Sequence, residues 1–361
     1  MAFVLPPYRE PDFTALGSAP DAQFIPAPRD GAAPEQYHAT TIFPEYFKVG
    51  GHWLLAKESR MDCVAVYEEG AIAVREFRRL KQGDLVAVGR SEDGSQGIYV
   101  HTAPFAQSGE TEAEAFSFRQ GRSRETAYSK DYDSLYELLN YEKEHGFVTW
   151  VLGPACSFDK DSREAFSKLV EGGYVHALLA GNALATHDLE AAYLGTALGQ
   201  DIYTQESRPA GHYNHIDTIN RVRQYGSIPA FIKGEGIDNG ILYSCVKQGV
   251  PFVLAGSIRD DGPLPEVYAD VYEAQNAIRE QVKGSTTVIS MATVLHSIAT
   301  GNMTPAYRVL EDGTIRPLYF YCVDVSEFAV NKLRDRGSLA VKTMVTNVQD
   351  FVVNVAKGLN L

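Results

Sequence analysis

The chain has 361 residues, 45% hydrophobic and 22% charged, enough to build a sizeable core and more than one ordinary domain. A formal net charge of -13 argues against nucleic acid or an anionic membrane surface as a partner, and no run approaches the roughly 18 apolar residues of a membrane span. The four cysteines, Cys63, Cys156, Cys245 and Cys322, are widely spaced without a CxxC pair, so neither a disulfide framework nor a zinc site is expected.

The opening segment "MAFVLPPYREPDF" has no basic stretch followed by a long apolar run, so no secretory signal is expected and a cytoplasmic setting is the default. Residues 1–35, rich in Pro, Ala and Asp, read as an irregular arm. From about residue 46 the period becomes two. "YFKVGGHWLLA" predicts a hairpin turning at Gly50-Gly51, and "DCVAVY", "AIAVREF", "DLVAVG" and "GIYVHT" continue as short strands of a small barrel or sandwich. The polar, aperiodic stretch 106–130 reads as a linker or mobile loop. The division is therefore an N-terminal β-rich domain over 1–105, that linker, and a Rossmann-like domain over 131–361.

"YDSLYELLNYEKEHG" places Leu135, Leu138 and Leu139 on one helical face ending at Gly146. Beyond it, buried strands alternate with helices. The expected strands are 147–152, 174–180, 228–232, 251–255, 286–290 and 318–323. Asp161 with Glu164 makes a capping-box pattern, and residues 265–283 put Val267, Val271, Ala274, Ile278 and Val282 on one helix face with Pro265 in its first turn. Near-continuous apolar strands separated by helices predict an α/β fold, a Rossmann-like parallel sheet covered on both faces.

In such a sheet, ligands bind beyond the carboxyl ends of the strands. "GNALATHD" follows one strand, and Gly181-Asn182 is either a tight turn or an anion site at a helix N-terminus. Asp324 ends the strand "LYFYCV" with Ser326 as the N-cap beyond it, and either caps or holds a ribose. No GxGxxG follows any strand, so any dinucleotide must be held by another loop set.

His212, Asn214 and His215 are close enough to raise the possibility of a metal, but no third ligand has suitable spacing, and hydrogen bonding to a substrate or nicotinamide amide fits better. His296 is a site residue or a satisfied buried histidine; Cys245 reads as core, and His176 and His187 as structural or exposed. "LAGSIRDDGPLP" places Arg259, Asp260 and Asp261 directly beyond a buried strand, where three charges are costly unless they pair or bind something. They form an internal lock, or Arg259 clamps a carboxylate while an aspartate meets an amine.

Four segments, "VHALLAGNALATHDLEAAYLGTALG", "GHYNHIDTINRVR", "GILYSCVKQGVPFVLAGSIRDDGPLPEV" and "ATVLHSIATGNMTPA", resemble the conserved region named after lysine-oxoglutarate reductase/saccharopine dehydrogenase (LOR/SDH). Its members include the archaeal-type ornithine cyclodeaminases. The resemblance covers about 150–360 and continues more weakly through "QYHATTIFP", "RMDCVAVY" and "LKQGDLVAVG". It implies tightly held NAD and conversion of L-ornithine to L-proline and ammonia, by oxidation at Cα, ring closure by the δ-amine, loss of ammonia and hydride return. Motif position then makes Arg259, Asp260 and Asp261 the catalytic candidates. Gly181, Asn182, Asn214, Gly256, Ser257, His296 and Asp324 become the cofactor candidates. Asp62, His215 and Arg259 become the substrate candidates, and no metal is expected.

Two stretches depart from the family pattern. "GPACSFDKDS" replaces a His-Thr-Gly-Gly character, and Tyr213 stands where an arginine is usual. The competing functions are an NAD-dependent dehydrogenase or imine reductase on another diamino acid or pathway intermediate, and a non-catalytic NAD-binding sensor. The expected partner is a small amino acid, with a homodimer or homotetramer as the usual assembly for such folds.

Overall fold

The computed structural model describes residues 3–105, 129–258, 263–326 and 339–361. The N-terminal strands are β1 (Gln23–Pro26), β2 (Glu45–Val49), β3 (His52–Leu55), β4 (Val64–Glu68), β5 (Ala71–Arg75), β6 (Leu85–Val88) and β7 (Ile98–Val100). They pair antiparallel into a four-stranded sheet of order β1-β6-β4-β5 and a three-stranded sheet of order β3-β2-β7. Phe47 and Ile98 from the smaller sheet meet Ala65, Ile72, Val74 and Ala87 from the larger in one core. The β2–β3 hairpin turns at Gly50 and Gly51, whose φ values of 56° and 81° suit glycine in a two-residue turn.

The arm over 1–35 is less irregular than expected, because β1 pairs with β6 and forms an edge of the four-stranded sheet. Only Phe24 of its four residues packs against the core, so no alternation could show in the sequence. The stretch 106–128 of the expected linker lies outside the described residues.

The second part begins with α1 (Ser129–His145), which buries Leu135, Leu138 and Leu139. Then follow β8 (Val148–Leu152), α2 (Lys160–Glu171), β9 (Ala177–Gly181), α3 (Asn182–Leu194), the short β10 (Thr196–Ala197) and β11 (Gln200–Asp201), α4 (Asn214–Tyr225), α5 (Ile228–Glu235), α6 (Ile241–Gln248) and β12 (Phe252–Ala255). The chain continues with β13 (Val267–Tyr268), α7 (Val271–Gly284), β14 (Thr287–Met291), α8 (Val294–Met303), the hairpin β15 (Tyr307–Val309) and β16 (Ile315–Pro317), β17 (Tyr319–Asp324), β18 (Ala340–Val345) and α9 (Val348–Gly358).

Seven of these strands form one parallel sheet, ordered β13-β12-β9-β8-β14-β17-β18. Alternate side chains point to opposite faces. Trp150, Leu178, Ile289 and Tyr321 pack with residues of α1, α2, α3, α6 and α9, while Val151, Leu179, Val288 and Phe320 pack beneath α7 and α8. Both faces are covered, which is why the strands read as apolar runs rather than as an alternation.

Three local expectations are corrected. Residues 228–232 are helix, not strand: Ser227 caps α5 by accepting from the Ala230 N–H, Pro229 sits in the first turn, and Ile228, Phe231 and Ile232 share the buried side. The helix expected at 265–283 starts at Val271, capped by Asp270, which accepts from the Tyr272 and Glu273 N–H groups. Val267 is buried but belongs to β13, and Val271 is 67% exposed, so on the helix itself only Ala274, Ile278 and Val282 of the expected face are buried. The cap of α2 is Asp159, accepting from Ser162 N–H, in place of the Asp161–Glu164 box. The segment that Ser326 was expected to cap lies outside the described residues.

Candidate active site

Strand order reverses between β8 and β14: the chain steps outward from β8 to β9 and β12, then returns to β14 on the other side. The carboxyl ends of these two strands are therefore the switch point where such folds bind ligands. Here the backbones touch. Gly153 N–H donates to Met291 O at 2.8 Å, and a Cβ on Gly153 would stand 1.9 Å from Ala292 O. Ala292 itself has φ 57°, a left-handed conformation unusual for alanine, so the turn out of β14 carries local strain. Sequence reasoning passed over both residues. A Gly-Pro directly after a buried strand was the available signal for Gly153; Ala292 offers none.

Beside the switch point, Gly181 ends β9 and His296 lies in the first turn of α8. A Cβ on Gly181 would come within 2.7 Å of His296 Cε1, so the imidazole lies against bare backbone. Helices α3 and α8 both start at this edge with no side-chain cap bond, from Gly181 and Thr293 respectively. Their first N–H groups and dipoles favour an anion there.

Asn182 has a definite partner: its Oδ1 accepts from Leu264 N–H at 3.0 Å and from Thr186 Oγ1 at 3.5 Å. It pins the far end of the connection that leaves β12. Pro263 O, one residue before, accepts from Arg223 of α4 at 2.8 Å. The near end is held where Gly256 N–H donates to Tyr268 O at 2.9 Å, an approach so close that a Cβ on Gly256 would stand 2.8 Å from the same oxygen. Ser257 is exposed on this connection. Arg259, Asp260 and Asp261 lie outside the described residues, between these two anchored ends.

A buried polar cluster backs the crevice. Glu190 of α3, fully buried, accepts from Thr196 Oγ1 at 2.8 Å, Gly199 N–H at 2.9 Å, Leu198 N–H at 3.0 Å and His187 Nδ1 at 3.1 Å. Burial alone would raise its carboxyl, but the bonds from His187, Gly199 and Thr196 outweigh that and hold it below the usual range. Asn214 donates to Thr196 Oγ1 at 2.8 Å and so ties the start of α4 to this cluster. The ring of His187 packs 5.2 Å from Phe158, just beyond the β8 turn, and 6.3 Å from His215. His215 Nδ1 is buried with no hydrogen-bond partner among the described residues. The expectation that His187 is structural or exposed resolves as structural, and Glu190 had no signal in sequence.

Asp324, at the end of β17, accepts from Ser326 N–H at 2.9 Å through Oδ1. Asp62 joins none of these groups; it lines a separate cavity between the N-terminal strands and α7–α8. His176 Nδ1 accepts from Val148 N–H at 3.0 Å, a structural role. Burial pushes Cys63 up to about 11 and Cys156 and Cys322 up to about 12, so these thiols stay protonated. Tyr213 is exposed. Among the described residues no three His, Cys, Asp or Glu side chains are placed to hold a metal, and no helix is long and apolar enough to cross a membrane.

The family model described as arginine dihydrolase ArgZ-like, C-terminal, Rossmann fold matches residues 135–355. An ornithine cyclodeaminase of Methanopyrus kandleri is 37% identical over 342 residues, covering 94% of this chain and 78% of that protein. The crystal structure of a conserved LOR/SDH protein from Methanococcus maripaludis S2 superposes with a TM-score of 0.85 at 34% identity, covering 94% of this chain and 98% of that one. The crystal structure of AgrE in a ternary complex with ornithine and NAD+ has a TM-score of 0.59 at 31% identity, and the match covers 95% of this chain but 46% of AgrE.

Proposed function

The chain belongs to the ArgZ-like C-terminal, Rossmann-fold family, and on that premise we propose that it is an NAD-dependent ornithine cyclodeaminase, releasing ammonia from L-ornithine and forming L-proline. The observation that carries this reading is the β12 connection. Its two ends are anchored at Gly256 and Leu264, beside the switch point, and the segment between them contains Arg259, Asp260 and Asp261.

The residues present fit a dinucleotide. Two helices offer uncapped N-termini at the carboxyl edge of the sheet, beside the close approach of Gly153 to Ala292. Gly181, Gly256, Ser257 and the α3 and α8 N-termini would hold its phosphates and nicotinamide end, with Asp324 on a ribose. When bound, the dinucleotide supplies reversible hydride chemistry at the substrate Cα.

The chain's own groups do the rest. Arg259 clamps the α-carboxylate bidentately, as a guanidinium fork suits a carboxylate. Asp260 or Asp261 receives an amine proton. Ring closure is intramolecular, so holding the δ-amine near the Cα carbon does most of what is required. Asn182 and Asn214 act as positioning residues: the first pins the charged connection, the second joins α4 to α3. His215, whose Nδ1 has no hydrogen-bond partner among the described residues, would orient a substrate group.

The test is to incubate the purified chain with L-ornithine and a panel of diamino acids, following ammonia, proline and NADH together. Equal ammonia and proline with no net NADH is the expected result. Net NADH formation or consumption would instead identify a dehydrogenase or imine reductase, and cofactor binding without turnover of any amine would identify a sensor.

A further inference from the structure

Away from the sheet's carboxyl edge, a cavity of about 150 Å³ lies between the N-terminal strands and the α7–α8 pair. Arg60, Asp62 and Glu76 line one wall, and Arg279 of α7 with Asn302 and Met303 of α8 line the other. His296, at the crevice, and Met303 stand seven residues apart on α8, roughly 10 Å at the helical rise, so the cavity is near the crevice but separate from it.

Its charge is unusual for so buried a place. Arg279 is 1% and Arg60 4% exposed, and they share one carboxylate: Glu76 accepts from Arg60 at 2.8 Å and pairs with Arg279. Arg60 has a second partner in Glu58 at 3.2 Å. Among the described residues Arg279 has no second partner, and its Nε and Nη1 are buried with no hydrogen-bond acceptor. Glu76 Oε2 is likewise buried and unmatched. Burial, together with the nearby Arg60, Arg79 and Arg78 and against the opposing Glu76, holds Arg279 below the usual arginine range. Unmatched buried donors and acceptors beside one ion pair are costly, and the cost is removed by a group that satisfies both.

We propose that this cavity is a binding site for a small zwitterionic amino acid, its carboxylate on Arg279 and its ammonium on Glu76. The buried Nε–H and Nη1–H groups of Arg279, unmatched among the described residues, call for an anionic acceptor, and a carboxylate supplies one. The unmatched Oε2 of Glu76, whose other oxygen pairs with Arg279, selects a ligand that also carries a cation. The volume sets the size: it is well below the roughly 300 Å³ at which pockets begin to take drug-sized ligands, so a dinucleotide is excluded. Exposed Met61 and Asp62 and exposed Asn302 form the entrance, which gives a ligand access from solvent. The site does not depend on the reaction proposed above.

The experiment titrates the full chain, carrying whatever cofactor it purifies with, with carbon-13-labelled glycine and L-alanine, following bound ligand by NMR. Three proteins are compared: wild type, Arg279→Met and Met61→Glu. The expected result is one saturable equivalent on the wild type, at least tenfold weaker binding in Arg279→Met, and severalfold weaker binding in Met61→Glu, which sets a negative charge at the entrance. No saturable binding to the wild type overturns the proposal, as does an Arg279→Met protein that binds within twofold of wild type. If Arg279→Met does not fold, an unchanged affinity in Met61→Glu overturns it instead. Ornithine turnover measured on the same preparations separates the two readings. Turnover without glycine or alanine binding removes only this site, and binding without turnover removes only the cyclodeaminase.

Discussion

The imidazole of His296 lies against the backbone of Gly181, so close that a Cβ built on the glycine would stand 2.7 Å from His296 Cε1. The pair joins the ends of β9 and β14 across the strand between them, at the edge where α3 and α8 both begin. Gly181→Ala therefore displaces the ring. The expected cost is about tenfold in NAD affinity, roughly 1.4 kcal/mol. His296→Ala in the same chain should recover part of that loss, because the obstructed ring is gone. A double variant whose losses simply add would show that the two residues act independently.

Asn182 ties the charged connection to α3 through Leu264 N–H. Asn182→Ala leaves that buried donor unmatched, at a cost of about 1–3 kcal/mol. Hydrogen exchange at the Leu264 amide should accelerate, and the KM for ornithine should rise more than kcat falls, since the segment carrying Arg259 is loosened while the reacting groups remain. Unchanged exchange at Leu264 would reject the anchoring role.

For the charged segment itself, Arg259→Lys should raise KM for ornithine, because an ammonium cannot form the bidentate clamp. One of Asp260→Asn and Asp261→Asn should lower kcat by about 100-fold or more, the usual range for loss of a general base. Full turnover in both asparagine variants would remove the aspartates from the chemistry.

Glu190 makes a prediction about pH. Burial opposes its ionisation, yet the bonds from His187, Gly199 and Thr196 leave its carboxyl below the ordinary value in the folded chain. The unfolded chain, at about 4.3, then binds the proton more readily. The contribution to stability is present in full above that value and is lost as pH falls through the lower folded value. Urea midpoints measured from neutral pH down into the acid range should show this loss in the wild type. Glu190→Gln should be less stable at neutral pH and show a shallower acid limb; an acid limb identical to wild type would contradict the assignment.

Much of the fold was legible in the chain. The apolar runs at 147–152, 251–255, 286–290 and 318–323 correspond to β8, β12, β14 and β17, each shifted by no more than a residue at either end. Residues 228–232 misled because five mostly apolar residues look the same as a buried strand or as one helical turn; the Ser227 cap and Pro229 were the deciding local features. Within the two larger sheets, β1, β13 and β18 went unread, as did the short hairpins β10–β11 and β15–β16. β13 has two residues, β1 is an exposed edge, and β18 is half-buried along four of its six positions, so none shows a clean period.

The sequence by itself determined the class of fold, because periodicity and capping are local properties that each segment carries alone. It also marked Gly181, Asn182 and the Arg259–Asp261 triplet as lying just beyond strand ends. Only the tertiary structure decided which of those ends meet. The contacts of Gly153 with Ala292, Gly181 with His296, Asn182 with Leu264 and Glu76 with Arg279 depend on strand order and on the docking of the two parts. Such pairings join segments distant in the chain, where no local pattern records them. They arise because burying both faces of the sheet and matching buried polar groups must be satisfied for the whole chain at once.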